Sequence, residues 1–151
     1  MRAFATPGAF AAHLRRVSQS LPHAEHVGLE AAATLVETEA KALIGQEGPF
    51  LQLAPSTVAE KRRLGYGGQV SATDPLLREG TLRDSISHMV EGRMAVVGSD
   101  DPVAIYQETG TSTIPPRPFL AGAAFRQGEA AANEIGRAVG NAVAGLPPER
   151  R

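Results

Sequence analysis

The chain has 151 residues, 42% of them hydrophobic and 21% charged, with a net charge of −1 and the two signs interleaved. That fits a single globular domain and gives no electrostatic case for a general nucleic-acid or membrane partner. Cysteine is absent, which excludes disulfides, thiolate catalysis and thiolate metal sites together. The N-terminal stretch meets His13, Arg15 and Arg16 before any continuous apolar run. No stretch approaches the roughly 20 apolar residues that cross a bilayer, so neither a signal peptide nor a membrane span is expected. Aromatic residues are scarce (no Trp, two Tyr, five Phe), while Gly and Ala are plentiful. A core of small aliphatic side chains has few large anchors, so part of the stability is expected to come from neighbouring subunits.

The first 45 residues read as helix. Thr6 suits an N-cap with Pro7 at the first helical position, and Phe10, Leu14 and Val17 recur on one apolar face. Leu21-Pro22 predicts an interruption, because residues before proline avoid the α region. A second helix is expected from about His23 to Ile44. Val27, Leu35, Val36 and Leu43 would form its buried side, Ala31, Ala32 and Ala40 would allow close approach, and Gly45 would end it.

Gln46 to Pro55 reads as a loop carrying Phe50, Leu51 and Leu53. Thr57 with Glu60 then forms a capping-box pattern opening a short helix through Lys61, Arg62, Arg63 and Leu64. Residues 65–75 are rich in Gly, Ser and Thr and predict a flexible loop that orders on assembly. Ser87–Glu91 and Met94–Gly98 read as a hairpin across Gly92-Arg93, with Val90, Met94, Val96 and Val97 as its apolar side. Asp101-Pro102 starts a helical turn holding Ile105 and Tyr106, which Gly110 breaks. Ile114 to Leu120 contains three prolines and must be an extended edge strand or strap. Gly122 to Ala144 reads as a closing helix with Phe125, Ile135, Val139 and Val143 at helical intervals; Gly128, Gly136 and Gly140 weaken it but would permit close packing. The expected class is α+β: long N-terminal helices, a small antiparallel sheet with a Pro-rich strap, and a C-terminal helix, in one domain over 1–151.

The residues that could carry chemistry do not assemble into a site on sequence grounds. His23, His26 and Glu30 share helical spacing, but no fourth metal ligand is near and His88 is distant in sequence. Glu37, Glu39, Glu108, Asp100 and Asp101 are carboxylates with nothing to constrain a catalytic pair; Glu37 and Glu39, two apart, point in different directions on a helix. Ser85 and Ser87 sit in no nucleophile elbow, and Gly65-Tyr66-Gly67-Gly68 lacks the spacing and ending of a phosphate loop. Lys61, Arg62 and Arg63 read first as a solvated face, with contact to DNA phosphates in a channel as the functional alternative. No enzyme, cofactor or metal is expected.

Two stretches resist that bland reading. One is Pro75-Leu76-Leu77-Arg78-Glu79-Gly80-Thr81-Leu82-Arg83-Asp84-Ser85-Ile86. The other is Val97-Gly98-Ser99, then Ala104-Ile105-Tyr106-Gln107-Glu108-Thr109-Gly110-Thr111, then Ile114-Pro115-Pro116-Arg117-Pro118-Phe119-Leu120. In this order, over roughly residues 55 to 125, they resemble the virion-morphogenesis and tail-completion families of tailed bacteriophages. Those families follow a long helix with Pro-Leu and Thr-Gly-x-Leu-x-x-Ser-Ile, then a strand ending in Val-Gly. Next come Tyr-Ala-x-x-His/Glu-x-Gly-Thr, Ile-Pro-x-Arg-Pro-Phe-Leu and a final helix. The chain departs from the pattern in its inverted Gly80-Thr81 and in lacking Ala after Tyr106.

The resemblance implies a structural virion protein, assembled in the host cytoplasm, that completes the tail tube and joins it to the head. It implies a ring, six copies matching the tube symmetry, in contact with the tube or terminator protein and with a head-completion or connector protein. Tail terminator and head-completion stopper are neighbouring roles; a small hydrolase or a nucleic-acid-binding protein would be a different class. The residues expected at interfaces are Tyr106, Gln107, Glu108, Gly110, Thr111, Arg117, Pro118 and Phe119. Thr81 is expected to cap the turn over Leu82–Ser85, burying Leu82 and Ile86. Prolines on either side hold Arg117 extended for an inter-subunit bond. For Phe119, packing in the core is the simpler reading.

Overall fold

The computed structural model describes residues 4–46, 50, 52–65, 72–77 and 79–148. Its axis is one helix, α1 (Pro7–Leu43), opened by Thr6, whose Oγ1 accepts the Ala9 amide at 3.1 Å. Contrary to expectation, α1 runs unbroken through Pro22. Proline there removes one backbone hydrogen bond at a cost of about 3 kcal/mol, but its ring lies on an exposed face. The small-residue seam continues past it through Ala24, Gly28, Ala32 and Ala40, all buried. Packing along that seam outweighs the local penalty.

The seam is covered by α5 (Phe119–Ala144), which runs antiparallel to α1: Glu39 meets Arg126 and Gln127 near one end, and Gly28 meets Ile135 and Ala138 toward the other. Gly28 sets the spacing. A Cβ there would lie 2.8 Å from the Ile135 Cα and 3.3 Å from the Ala138 Cβ, so the two backbones approach as closely as glycine allows. By the helical rise of about 1.5 Å per residue, α5 ends opposite the region of Pro22, and the first turns of α1 project beyond it. Phe10 and Leu14, expected on a buried face, are therefore exposed; the Phe10 ring meets that of Phe4 at 5.3 Å between centroids.

The glycines expected to bring α5 close to its neighbour do not do so. A Cβ at Gly128, Gly136 or Gly140 would meet nothing within 4 Å. Replacing Gly136 and Gly140 by Ala is accordingly expected to raise stability by about 0.5–1 kcal/mol per site, read as an increased urea midpoint. No gain at either position would contradict the open placement.

On the other side of α1 lies a two-stranded antiparallel hairpin, β1 (Ile86–Glu91) and β2 (Met94–Ser99), whose register pairs Ile86 with Ser99 and Glu91 with Met94. Its turn places the positive φ on Gly92, at +59°. Alternation divides the hairpin into two faces. Ile86, His88, Val90, Ala95 and Val97 turn toward α1, whereas Met89, Met94 and Val96 turn outward and are exposed. Met94 and Val96 thus lie on the opposite face from Val90 and Val97, and the expected single apolar side is split between the two.

Three short helices complete the described chain: α2 (Pro55–Arg63), α3 (Thr81–Asp84) and α4 (Val103–Thr109). α2 starts at Pro55 with no side-chain cap, and Glu60 pairs with Arg63 instead of closing a capping box. Gly80, at φ +93°, and not Thr81, is the N-cap of α3. Leu82 and Ile86 are buried as expected, joining Ala40, Leu43, Ile44, Ala104, Phe119 and Ala123 in one cluster. The architecture is α+β. Of the loop expected at 65–75, residues 66–71 lie outside the described residues. Ala72 and Pro75 are buried, and the Pro75 carbonyl accepts the Gly45 amide at 3.0 Å.

Candidate interaction site around the strap

The segment from Ser99 to Leu120 is built from mutual side-chain and backbone bonds. Ser85 and Ser99 hydroxyls lie 2.6 Å apart, and Ser99 Oγ accepts the Asp101 amide at 3.0 Å, joining the end of α3 to the end of β2. Asp101 in turn accepts the Val103 amide at 2.8 Å and starts α4. Gly110 ends α4 at φ +75°, and a Cβ there would lie 2.8 Å from both the Ile114 carbonyl oxygen and the Pro116 nitrogen. Only glycine fits. Thr111 Oγ1 accepts the Ile114 amide at 3.0 Å while its own amide reaches the Ile114 carbonyl at 2.8 Å, closing a tight loop that aims the strap back across α4.

Glu108 acts at long range. Its carboxylate accepts the amides of Leu120 at 3.0 Å and Ala121 at 2.8 Å, so it caps the free N–H groups at the start of α5. The Arg117 amide donates to the Gln107 carbonyl at 2.7 Å, tying the strap to α4. Ile114 to Pro118 is thus a strap and not a strand among the described residues.

The residues expected at interfaces separate into groups. Phe119 is 0% exposed, in the chain's own core. Glu108, Gly110 and Thr111 shape the loop and cap α5. Tyr106 and Pro118 are exposed, as is Ile105 beside Tyr106, and Gln107 is half-buried. Arg117 is only 6% exposed, and no described residue accepts a hydrogen bond from its guanidinium; its Nε is buried without a partner. It is the one such buried side-chain atom among the described residues.

Arg117 lies in an open cleft of about 1030 Å³ between α2 on one side and α3, α4 and the strap on the other. Lys61 lines it too. The expected solvated basic run is therefore divided: Lys61 is buried, its Nζ donating to the Asp74 carbonyl at 2.8 Å and the Leu77 carbonyl at 2.9 Å, and burial pushes its ammonium below the usual lysine range. Its stem packs inward while the carbonyls satisfy its head, which the run of three cations in the sequence does not disclose. Arg62 and Arg63 stay at the surface, Arg63 held by Glu60. Leu76, on the cleft wall, adopts φ +63°, an uncommon left-handed conformation for a branched side chain.

Several of the remaining polar candidates bond to neighbouring elements of the fold. Glu37 and Glu39 diverge as their spacing requires, Glu37 toward the hairpin and Glu39 toward α5. His88 bonds Glu37 through Nδ1 and Glu30 through Nε2, the latter at 3.0 Å, and so does not serve Ser85. His26 approaches Glu30 at 3.7 Å. Among the described residues no group of three His, Asp or Glu side chains is placed to hold a metal ion, and no helix is long and apolar enough to cross a membrane.

The His88 cluster makes stability depend on pH. The Lys41 ammonium, then His88, hold the Glu37 carboxyl below the usual carboxylate range; Glu37, then Glu30, raise the His88 imidazole. A raised histidine contributes fully below its ordinary value of 6.5 and loses that contribution as pH rises through the folded value. A lowered carboxylate contributes fully above 4.5 and loses it as pH falls through the folded value. Both are in force between those limits. With Glu30, Glu37, Lys41 and His26 around the ring, the melting-temperature difference between wild type and His88→Asn should peak in that window and shrink above it. A difference flat with pH would contradict the assignment.

Comparison of the chain with protein-family models, with curated proteins and with solved structures finds no match in any of the three.

Proposed function

We propose that the protein is a structural component of the head–tail junction of a tailed bacteriophage, a tail-completion protein that acts as a ring of copies. The ordered motif series from Pro75 to Leu120 supports this reading, and it is carried by one observation on the molecule: a hairpin whose outward face exposes Met89, Met94 and Val96 and whose edges are unpaired among the described residues. Met89 and Met94 are each 60% exposed on that face, and no other strand joins it among the described residues. α1 covers the hairpin's other face, but open strand edges are templates for pairing with another chain. Phe125, at 90% exposed on α5, and the projecting Phe10 and Leu14 of α1 add apolar surface that a free monomer would keep in solvent. Function is binding, with no turnover.

Wild-type protein should sediment as a ring-sized species at micromolar concentration. The double substitution Met89→Glu, Met94→Glu changes only exposed positions, so it should leave the melting temperature within a few degrees while returning the protein to monomer. Wild type that is monomeric at every concentration would overturn the ring, and an unaffected double variant would remove the hairpin from the interface.

A further inference from the structure

We propose that the cleft between α2 and the strap binds an extended, carboxylate-bearing segment of a partner protein, whose acidic side chain pairs with the Arg117 guanidinium. The inference rests on the cleft itself and would survive the loss of the virion reading.

An arginine presents five donors and keeps its charge at any physiological pH. At 6% exposure, with Nε buried and no acceptor among the described residues, Arg117 has already lost most of its water. A buried donor without an acceptor is unfavourable, and a buried charge without a counter-charge more so. The fold nevertheless holds it there: prolines 115, 116 and 118 stiffen the strap, and the Arg117 amide is anchored on Gln107 at 2.7 Å. An incoming carboxylate thus meets a guanidinium that is already desolvated and fixed in place. That arrangement favours a forked, charge-assisted bond with little further ordering.

The acidic groups around the cleft do not fill this role. Glu60 bonds Arg63, Asp101 accepts the Val103 amide, and Asp74 and Glu79 have interactions of their own. Lys61 adds a second buried cation to the cleft. The shape decides between a small ion and a chain segment. At about 1030 Å³, with Leu53, Leu64, Leu76, Leu82 and Ile114 in its lining, the cleft is far larger than an oxyanion and mostly apolar. A segment with apolar residues on either side of one Glu or Asp matches both the walls and the guanidinium.

The experiment uses the full chain labelled with nitrogen-15 and follows the Arg117 Nε–Hε resonance. The probes are an end-blocked Ser-Leu-Glu-Leu-Ser peptide, its Gln counterpart, and inorganic phosphate. The Glu peptide is expected to shift the resonance saturably at up to millimolar concentration. The Gln peptide should bind about tenfold more weakly or worse, phosphate should leave the resonance in place, and Arg117→Gln should lose the binding while Arg62→Gln keeps it. Equal binding of the two peptides would make this an apolar groove only. A phosphate shift without a Glu-peptide shift would make it a free-anion site. A resonance unmoved by all three, in protein that self-associates, would place a second copy of the chain there. Each of these overturns the proposal, and the wild-type titration decides it even if Arg117→Gln fails to fold.

Discussion

Phe119→Ala is expected to destabilise the protein by about 3–5 kcal/mol, the cost of removing a buried phenyl ring and leaving its cavity. Phe119 is 0% exposed and sits at the first turn of α5 among Leu43, Ile44, Leu82, Ile86 and Ala104. These residues come from α1, the turn after it, α3, β1 and α4, so one ring joins the elements that the strap must hold together. Aromatic side chains are few in this chain, and Phe119 is one of three large side chains with less than 2% exposure among the described residues. Little else is available to fill the space. Against a total stability of about 5–15 kcal/mol for a domain, the loss removes a large fraction. Urea unfolding with unchanged slope and a much lower midpoint is the expected result. A loss below about 1 kcal/mol would mean that the strap is not anchored in the core.

Gly28→Leu should have a comparable effect by the opposite route, overfilling a contact. The obstacle is the Ile135 backbone, 2.8 Å from where a Cβ would stand, and not the end of a flexible side chain. The two helices must separate, which loosens the alanine seam on both sides: Ala24, Ala32, Ala138 and Ala142 are all buried. Overpacking of this kind costs about 1–3 kcal/mol and more where backbone must move. A fall in melting temperature of roughly 5–10 °C is expected for a chain of this size. Gly136→Leu on the same helix pair meets open space and serves as the control. Equal behaviour of the two variants would contradict the close approach at Gly28.

Sequence signals are legible where the structural preference behind them acts within a few residues. Alternation around Gly92 locates the hairpin within a residue at each end, and the prolines of 115–118 locate the strap, because both depend on backbone preferences that act within a few residues. Pro22 misleads for the complementary reason: its penalty is local, but the seam that overrides it lies on a helix about a hundred residues away. Helical periodicity at Phe10, Leu14 and Phe125 gives a face without saying whether anything covers it, and in the single chain nothing described does so. The candidate site was legible in residue type and not in role. Glu108 caps a helix that begins eleven residues later, and Lys61 bonds carbonyls thirteen and sixteen residues on. Neither spacing belongs to a local motif. Arg117 carries no sequence mark of burial, since arginine is almost never fully buried unless paired.

Inactivating the gene in a phage that carries it, and imaging the lysate by electron microscopy, separates the tail-completion, terminator and stopper roles. A tail-completion role predicts DNA-filled heads beside separate tails of normal length, with joining restored by the wild-type protein supplied in trans. Tails of uncontrolled length would move the role to a terminator, and leaking, empty heads to a stopper. Intact, infectious virions would contradict the structural role altogether.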